Sequence, residues 1–159
     1  MAASESCWHR GLPIWHHDLA TTHSTIPSQE VTTMSGKDLR VYSEEEIAQK
    51  LQAELPHWYY ENGWIRRKYR TSGWKATLMV VNAVGHLAEA AWHHPDLTVS
   101  YAFVIVKLVT HAAKGVTDRD FLLARKIEEV IGWDAKTESD EVFEGTPDDP
   151  RFKYIKYDK

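Results

Sequence analysis

LTVSYAFVIVKLVTH, residues 97–111, is rich in β-branched and aromatic residues and reads as extended chain. Its length is the difficulty. Run straight from residue 98 to 111, it would carry His111 roughly 40 Å from the end of the preceding helix, at about 3.3 Å per residue. Folded back near Tyr101, Ala102 and Phe103, it becomes a hairpin and returns His111 toward His93. No Gly, Pro or Asn marks such a turn, so the residues leave both forms open.

Upstream, WKATLMVVNAVGHLAEAAWHH (74–94) is the longest helical segment, with Pro95 expected to close it. Ala76, Met79, Val80, Ala83, Leu87 and Ala91 form one stripe, and Leu78 and Val81 add apolar surface beside it. A helix apolar over more than half its circumference is expected between a sheet and a second partner, such as another subunit. Earlier still, YSEEEIAQKLQAELPHW (42–58) opens with a capping box, Ser43 and Glu46, and places Ile47, Leu51 and Leu55 on one face before Pro56. Asn62-Gly63 in WYYENGWIRRKYR (58–70) predicts a tight hairpin, because both residues tolerate positive φ. Downstream, TDRDFLLARKIEEVI (117–131) reads as a helix capped by Thr117, with Asp118 and Asp120 in its first turn. Its apolar face is expected from Leu122, Leu123, Ile127, Val130 and Ile131.

The order α-β-β-α-β(β)-α predicts an α+β layer arrangement, an antiparallel sheet with helices on one face. Residues 1–40 read as a poorly specified leader rich in Ser, Thr and His, and Met34 offers an alternative start. The core domain is expected over 41–133. Residues 134–159 form an acidic and then aromatic tail whose Phe152, Tyr154 and Tyr157 are expected to pack on the domain.

At 159 residues the chain is long enough for one domain with a proper core. Its net charge of −4 argues against a nucleic-acid binder that neutralises phosphates, while leaving room for a local basic patch. Cys7, the only cysteine, excludes an intramolecular disulfide framework and a cysteine zinc cage. No apolar run is long enough to span a bilayer, and the first thirty residues lack the pattern of a secretory signal, so a soluble cytoplasmic protein is expected.

The chemistry centres on EAAWHHPD (89–96). Adjacent histidines on a helix point about 100° apart, so one core cannot absorb both. Three readings stand open. Imidazolium suits the negative end of a helix dipole. His86, Glu89 and His93 share one helix face and have metal-chelating spacing, although no His-Glu-x-x-His motif is present. His16, His17, Asp18 and His23 form a second, weaker metal candidate in the leader. Lastly, histidine exchanges protons near neutrality, so a pair in different environments, joined by His111, can supply an acid and a base.

The spacing Glu89, His93-His94-Pro95, Tyr101, His111 and Asp120 resembles that of the pterin-4a-carbinolamine dehydratases. THAAKGVTDRDFLLARKIEE (110–129), the Gly73-Trp74 pair and LPHW (55–58) are similar too, so the likeness runs from about residue 42 to 131. The resemblance implies two β-hairpins in a four-stranded antiparallel sheet with helices on one face, order α-β-β-α-β-β-α, assembled as a homodimer or homotetramer. It implies dehydration of 4a-hydroxytetrahydrobiopterin to quinonoid dihydropterin, in recycling the cofactor released by aromatic amino-acid hydroxylases. Neither a metal nor a redox cofactor is implied, and neither a membrane nor direct nucleic-acid binding. His93, His94 and His111 would be the catalytic trio: His94 and His111 at the leaving hydroxyl, His93 at the N5 proton. Asp120 and Glu89 would orient or charge-stabilise a histidine, with Arg119 near the site, and Trp58 and Pro95 would contact substrate. Trp92 departs from the polar or small residue common at its place, and His86 has no family role. The other reading the resemblance carries is a non-catalytic dimerisation or assembly factor, or a transcriptional coactivator.

Overall fold

The computed structural model describes residues 39–138 and 142–156. Residues 1–38 of the leader, with its histidines, Met34 and Cys7, and Tyr157 in the tail lie outside the described residues.

Helix α1 (Glu44–Glu54) begins as its sequence dictates. The Ser43 hydroxyl accepts from the Glu46 N–H, and the Glu46 carboxylate accepts from the Ser43 N–H. Such a cap contributes about 1 kcal/mol. Ile47, Leu51 and Leu55 are all buried. Strands β1 (Tyr59–Glu61) and β2 (Trp64–Thr71) are joined by Asn62 and Gly63, both at positive φ (51° and 82°). These are the dihedral signs that a type I′ turn demands.

The 97–111 run does fold back. Strands β3 (Asp96–Ser100) and β4 (Phe103–Leu108) pair antiparallel, with Ser100 opposite Phe103 across the two-residue turn Tyr101-Ala102. Neither turn residue has positive φ, so this is not the Gly/Asn turn that sequence patterns advertise. It is closed from outside. The Thr71 N–H donates to the Ala102 carbonyl at 2.9 Å, and the Thr77 hydroxyl donates to the Tyr101 carbonyl at 3.0 Å. The Tyr101 ring also lies over Gly73, where an added Cβ would sit 3.4 Å from its hydroxyl.

β4 then pairs with β2, giving the antiparallel order β1-β2-β4-β3. A two-residue strand from the tail, β5 (Ile155–Lys156), adds to β2 at Arg70 and Thr71. Helices α2 (Trp74–Ala91) and α3 (Asp118–Ile131) complete the core, and a single turn, α4 (Ala135–Glu138), follows. Residues alternate along β2 and β4. Ile65, Tyr69, Val104, Val106 and Leu108 are buried with Ile47, Val80, Val84, Phe121 and Ile127, while the other face carries no helix among the described residues. Each large side chain fully buried here contributes about 1.5–3 kcal/mol.

Both long helices sit rotated from their expected faces. On α2, Met79 (54% exposed) and Ala91 face outward, and Thr77, Val84 and Ala88 face the core. On α3, Leu122 and Val130 are exposed, and Phe121 and Ala124 take their places. The tail packs through Tyr154 and Ile155, while Phe152 stays exposed.

Trp58 differs from its expected role. It is a core residue, 4% exposed, whose indole N–H donates to the Glu128 carboxylate at 2.9 Å. Tyr69 (2.8 Å) and Arg67 (3.2 Å) donate to the same oxygen, with His57 nearby at 3.5 Å. Burial alone would raise the Glu128 pKa, but the Tyr69 hydrogen bond and the Arg67 charge outweigh it and hold the carboxyl below its ordinary value. Burial, with Glu128 beside it, pushes the Tyr69 phenol far above its ordinary value. The cluster ties α3 to β2.

Candidate active site at the end of the long helix

α2 stops one residue before the histidine pair. Trp92 turns left-handed (φ 49°, ψ 41°), a conformation usually given to Gly at a helix end, and the His93 N–H returns to the Ala88 carbonyl at 3.1 Å. His93 and His94 therefore stand on the short link between α2 and β3, not on the last helical turn as the sequence suggested. Off the helix, the two side chains take different partners. The His93 Nε2 lies 2.7 Å from Asp120 Oδ1, whereas the His94 Nε2 lies 3.2 Å from Glu89 Oε1. Half-buried Pro95 follows, carrying the chain into β3.

Asp120 is fully buried, and its position follows from the start of α3. It is the N3 residue of a capping box whose N-cap is Thr117. Oδ2 accepts from the Thr117 N–H and from the Thr110 hydroxyl, each at 2.8 Å. Thr110 and Thr117 share a further hydrogen bond at 2.7 Å. An ionised carboxylate can only accept, so the His93 Nε2 donates to it, and Nδ1 is the ring nitrogen that Asp120 leaves unengaged. Asp120 is thus both a cap and the fixed partner of His93, and the two readings of its sequence position are not alternatives.

Thr110 lies two residues beyond the end of β4 and immediately precedes His111, so the carboxylate that holds His93 also holds the residue beside His111. His111 is exposed and meets the Trp64 ring edge-on, with centroids 5.4 Å apart. The Trp92 ring meets His94 with the same centroid spacing. Three imidazoles therefore stand in three settings: His93 clamped and mostly buried, His94 open beside Glu89, and His111 open against Trp64. That is the arrangement from which an acid and a base can be drawn. Glu89 and Arg119 are both exposed. Arg119 lines a groove of about 510 Å³ with Leu87, Ala90, Ala91, Trp92 and His93, a volume within the usual range for ligand pockets, about 300–1,000 Å³.

Sequence reasoning attached no role to Thr110, Thr117 beyond its cap, or Trp64. The dipeptide Thr110-His111 was the available signal. The metal reading of His86, Glu89 and His93 does not assemble, because Glu89 faces His94, His93 faces Asp120 and His86 is exposed on α2. Among the described residues, no group of three metal-ligating side chains comes together. No helix among them is long and apolar enough to cross a membrane.

Residues 40–130 match the sequence model of a family described as pterin 4 alpha carbinolamine dehydratase. A protein of Aquifex aeolicus, provisionally named a pterin-4-alpha-carbinolamine dehydratase, is 47% identical over 93 residues, covering 58% of this chain and 93% of its own. A protein of the same provisional name from Chloroflexus aurantiacus is 46% identical over 90 residues, covering 57% and 96%. Among solved structures, a transcriptional coactivator/pterin dehydratase from Brucella melitensis superimposes with a TM-score of 0.53 at 27% identity, covering 57% of this chain and 98% of that one.

Proposed function

The chain belongs to the pterin 4 alpha carbinolamine dehydratase family, and from that premise we propose that it dehydrates 4a-hydroxytetrahydrobiopterin to quinonoid dihydropterin. The reaction breaks the C4a–O bond and the N5–H bond, forms C4a=N5 and releases water, with no net oxidation. Hydroxide leaves poorly, so an imidazolium must protonate the departing oxygen while a base takes the N5 proton. His93 suits the base, because Asp120 fixes its Nε2–H and leaves Nδ1 to accept. His94 and His111, the two open imidazoles, serve the leaving hydroxyl. Glu89 supports His94, Asp120 positions His93, and Arg119 and Pro95 border the site. The observation that carries this reading is the single carboxylate shared by His93 and Thr110. Such acid–base groups contribute about 10²- to 10⁴-fold in rate, without a metal.

The proposal extends to context. The enzyme acts in the cytoplasm in cofactor recycling, downstream of an aromatic amino-acid hydroxylase, as a homodimer or homotetramer that covers the outward Trp74, Leu78 and Met79 of α2. Residues 41–133 form the catalytic domain, with 1–40 a leader and 134–159 a tail. The coactivator-type reading is favoured by one observation, the double description of the Brucella structure, and would make the same apolar face a docking surface.

The test generates the carbinolamine with a hydroxylase and follows its decay by ultraviolet absorbance. Faster decay with the protein, unchanged by a chelator, supports the proposal. Decay at the uncatalysed rate refutes the enzyme, and a rate abolished by chelation refutes the metal-free chemistry.

A further inference from the structure

The face of the sheet that carries no helix among the described residues has a composition unlike the rest of the chain. Strand register assigns its members. Trp64, Arg66, Lys68 and Arg70 alternate with buried residues along β2, and Phe103, Ile105 and Lys107 do so along β4. Cross-strand pairing adds Tyr59 and Glu61 from β1, Asp96, Thr98 and Ser100 from β3, and Lys156 from β5 opposite Arg70. Five cations thus share a face with two carboxylates, in a chain whose net charge is −4. Both carboxylates are engaged: Glu61 pairs with Arg66, and Asp96 lies 4.0 Å from Lys107. Lys68, Arg70 and Lys156 have no ion pair among the described residues. The tail therefore contributes a cation to the open end of the row.

We propose that this open face binds a single strand of nucleic acid. Charge complementarity selects a polyanion, and the interleaved rings select one that has bases to stack. Tyr59 is exposed beside Arg66, and Trp64 and Phe103 are partly open. Two of the cations rest on rings, Lys68 with its ammonium 4.2 Å from the Phe103 centroid and Lys107 5.9 Å from that of Trp64. A base displacing Lys68 from Phe103 would stack on the freed ring, while the released ammonium meets the adjoining phosphate. Carboxylate side chains have no ring to replace the lysine on Phe103. A duplex offers phosphates but keeps its base faces stacked on one another. From Trp64 to Arg70 the row spans about 20 Å, at about 3.3 Å per residue, which suits a few nucleotides. The surface does not depend on the dehydratase reading.

The probe is a short fluorescein-labelled oligouridine, followed by fluorescence anisotropy against the full chain at increasing salt. Three unpaired cations predict a log–log salt slope near −2, so affinity falls about twentyfold between about 50 and 200 mM salt. The double variant Lys68→Gln/Arg70→Gln, verified as folded by circular dichroism, should reduce that slope to about a third. Tyr59→Ala should weaken binding and leave the slope unchanged. Absence of saturable binding at the lowest salt overturns the proposal, as does an unaltered slope in the folded double variant. Equal competition by polyglutamate would assign the face to an acidic protein instead, and equal competition by duplex RNA would remove the role of the rings. Either result overturns it.

Discussion

Replacing Asp120 with asparagine separates proton chemistry from folding. In the native chain Oδ2 takes the Thr117 N–H and the Thr110 hydroxyl, and Oδ1 takes His93. An asparagine must keep its oxygen toward the Thr117 N–H, because that donor is buried and fixed. Its NH2 group is then turned toward His93 Nε2, donor against donor. His93 escapes by moving its proton to Nδ1, the nitrogen proposed to accept from substrate. Wrong-tautomer penalties of this kind reach about 10⁴-fold in kcat, so a loss of about 10²- to 10⁴-fold is expected. The stability cost should be smaller. The variant keeps its acceptor contacts at neutral strength, which implies a loss of about 1–3 kcal/mol. Asp120→Ala instead strands the Thr117 N–H, takes the carboxylate acceptor from the Thr110 hydroxyl and removes the N3 half of the capping box, at about 3–5 kcal/mol. The assay is carbinolamine decay alongside urea unfolding, with the histidine tautomer assigned by long-range 1H–15N correlation NMR. Wild-type kcat in a folded Asp120→Asn protein would refute the reasoning, and so would an unchanged His93 tautomer. A purely structural Asp120 would show activity tracking stability across both variants.

Three further outcomes are expected. His111→Ala and His93→Ala should each lower kcat by about 10²-fold or more while both proteins stay folded, and retention of the native rate in both would remove the site assignment. Glu128→Ala uncovers Trp58, Tyr69 and the Arg67 guanidinium and should cost about 3 kcal/mol, measured as a shift in the urea midpoint. Because folding lowers the Glu128 pKa, the native chain gains stability from this group above the unfolded value of about 4.3 and loses it as pH falls through the lower folded value. Its acid unfolding should accordingly lose that component in Glu128→Gln. Trp92→Gly relieves a left-handed residue that is 78% exposed and should raise the melting temperature, with a gain of up to about 1 kcal/mol. A lower melting temperature would mean that the Trp92–His94 ring contact outweighs the strain.

What could be read from sequence was what local chemistry decides. Ser43 and Thr117 announce their caps, and Asn62-Gly63 its turn, because each acts within four residues. The hairpin at Tyr101-Ala102 is different. Its turn is held by Thr71, Thr77 and the contact over Gly73, about thirty residues away in the chain, so nothing within the turn itself could mark it. The faces of α2 were misphased because Leu78, Met79 and Val81 make the helix apolar almost all round, leaving the stripe without a clear edge. A tryptophan gives no warning of a left-handed helix end, and so the histidine pair was placed one turn too early. The grouping of the three histidines came from the family resemblance, whereas the carboxylate joining His93 to Thr110 comes from a residue 27 positions beyond His93. The basic sheet face was hidden by the total charge, since only register sorts Arg66, Lys68 and Arg70 away from their buried neighbours.

The double bonding of Asp120 bears on how related chains should be judged. A descendant that abandoned the reaction but kept its fold would still need a carboxylate to start α3, to hold Thr110 and to satisfy the Thr117 amide. Asp120 would survive that loss, and with it most of a recognisable motif. His94 and His111 are exposed and bear no such structural duty, so they are free to drift once catalysis ceases. In a genome survey, then, the aspartate testifies to architecture, and only the two open imidazoles can serve as witnesses to a working enzyme.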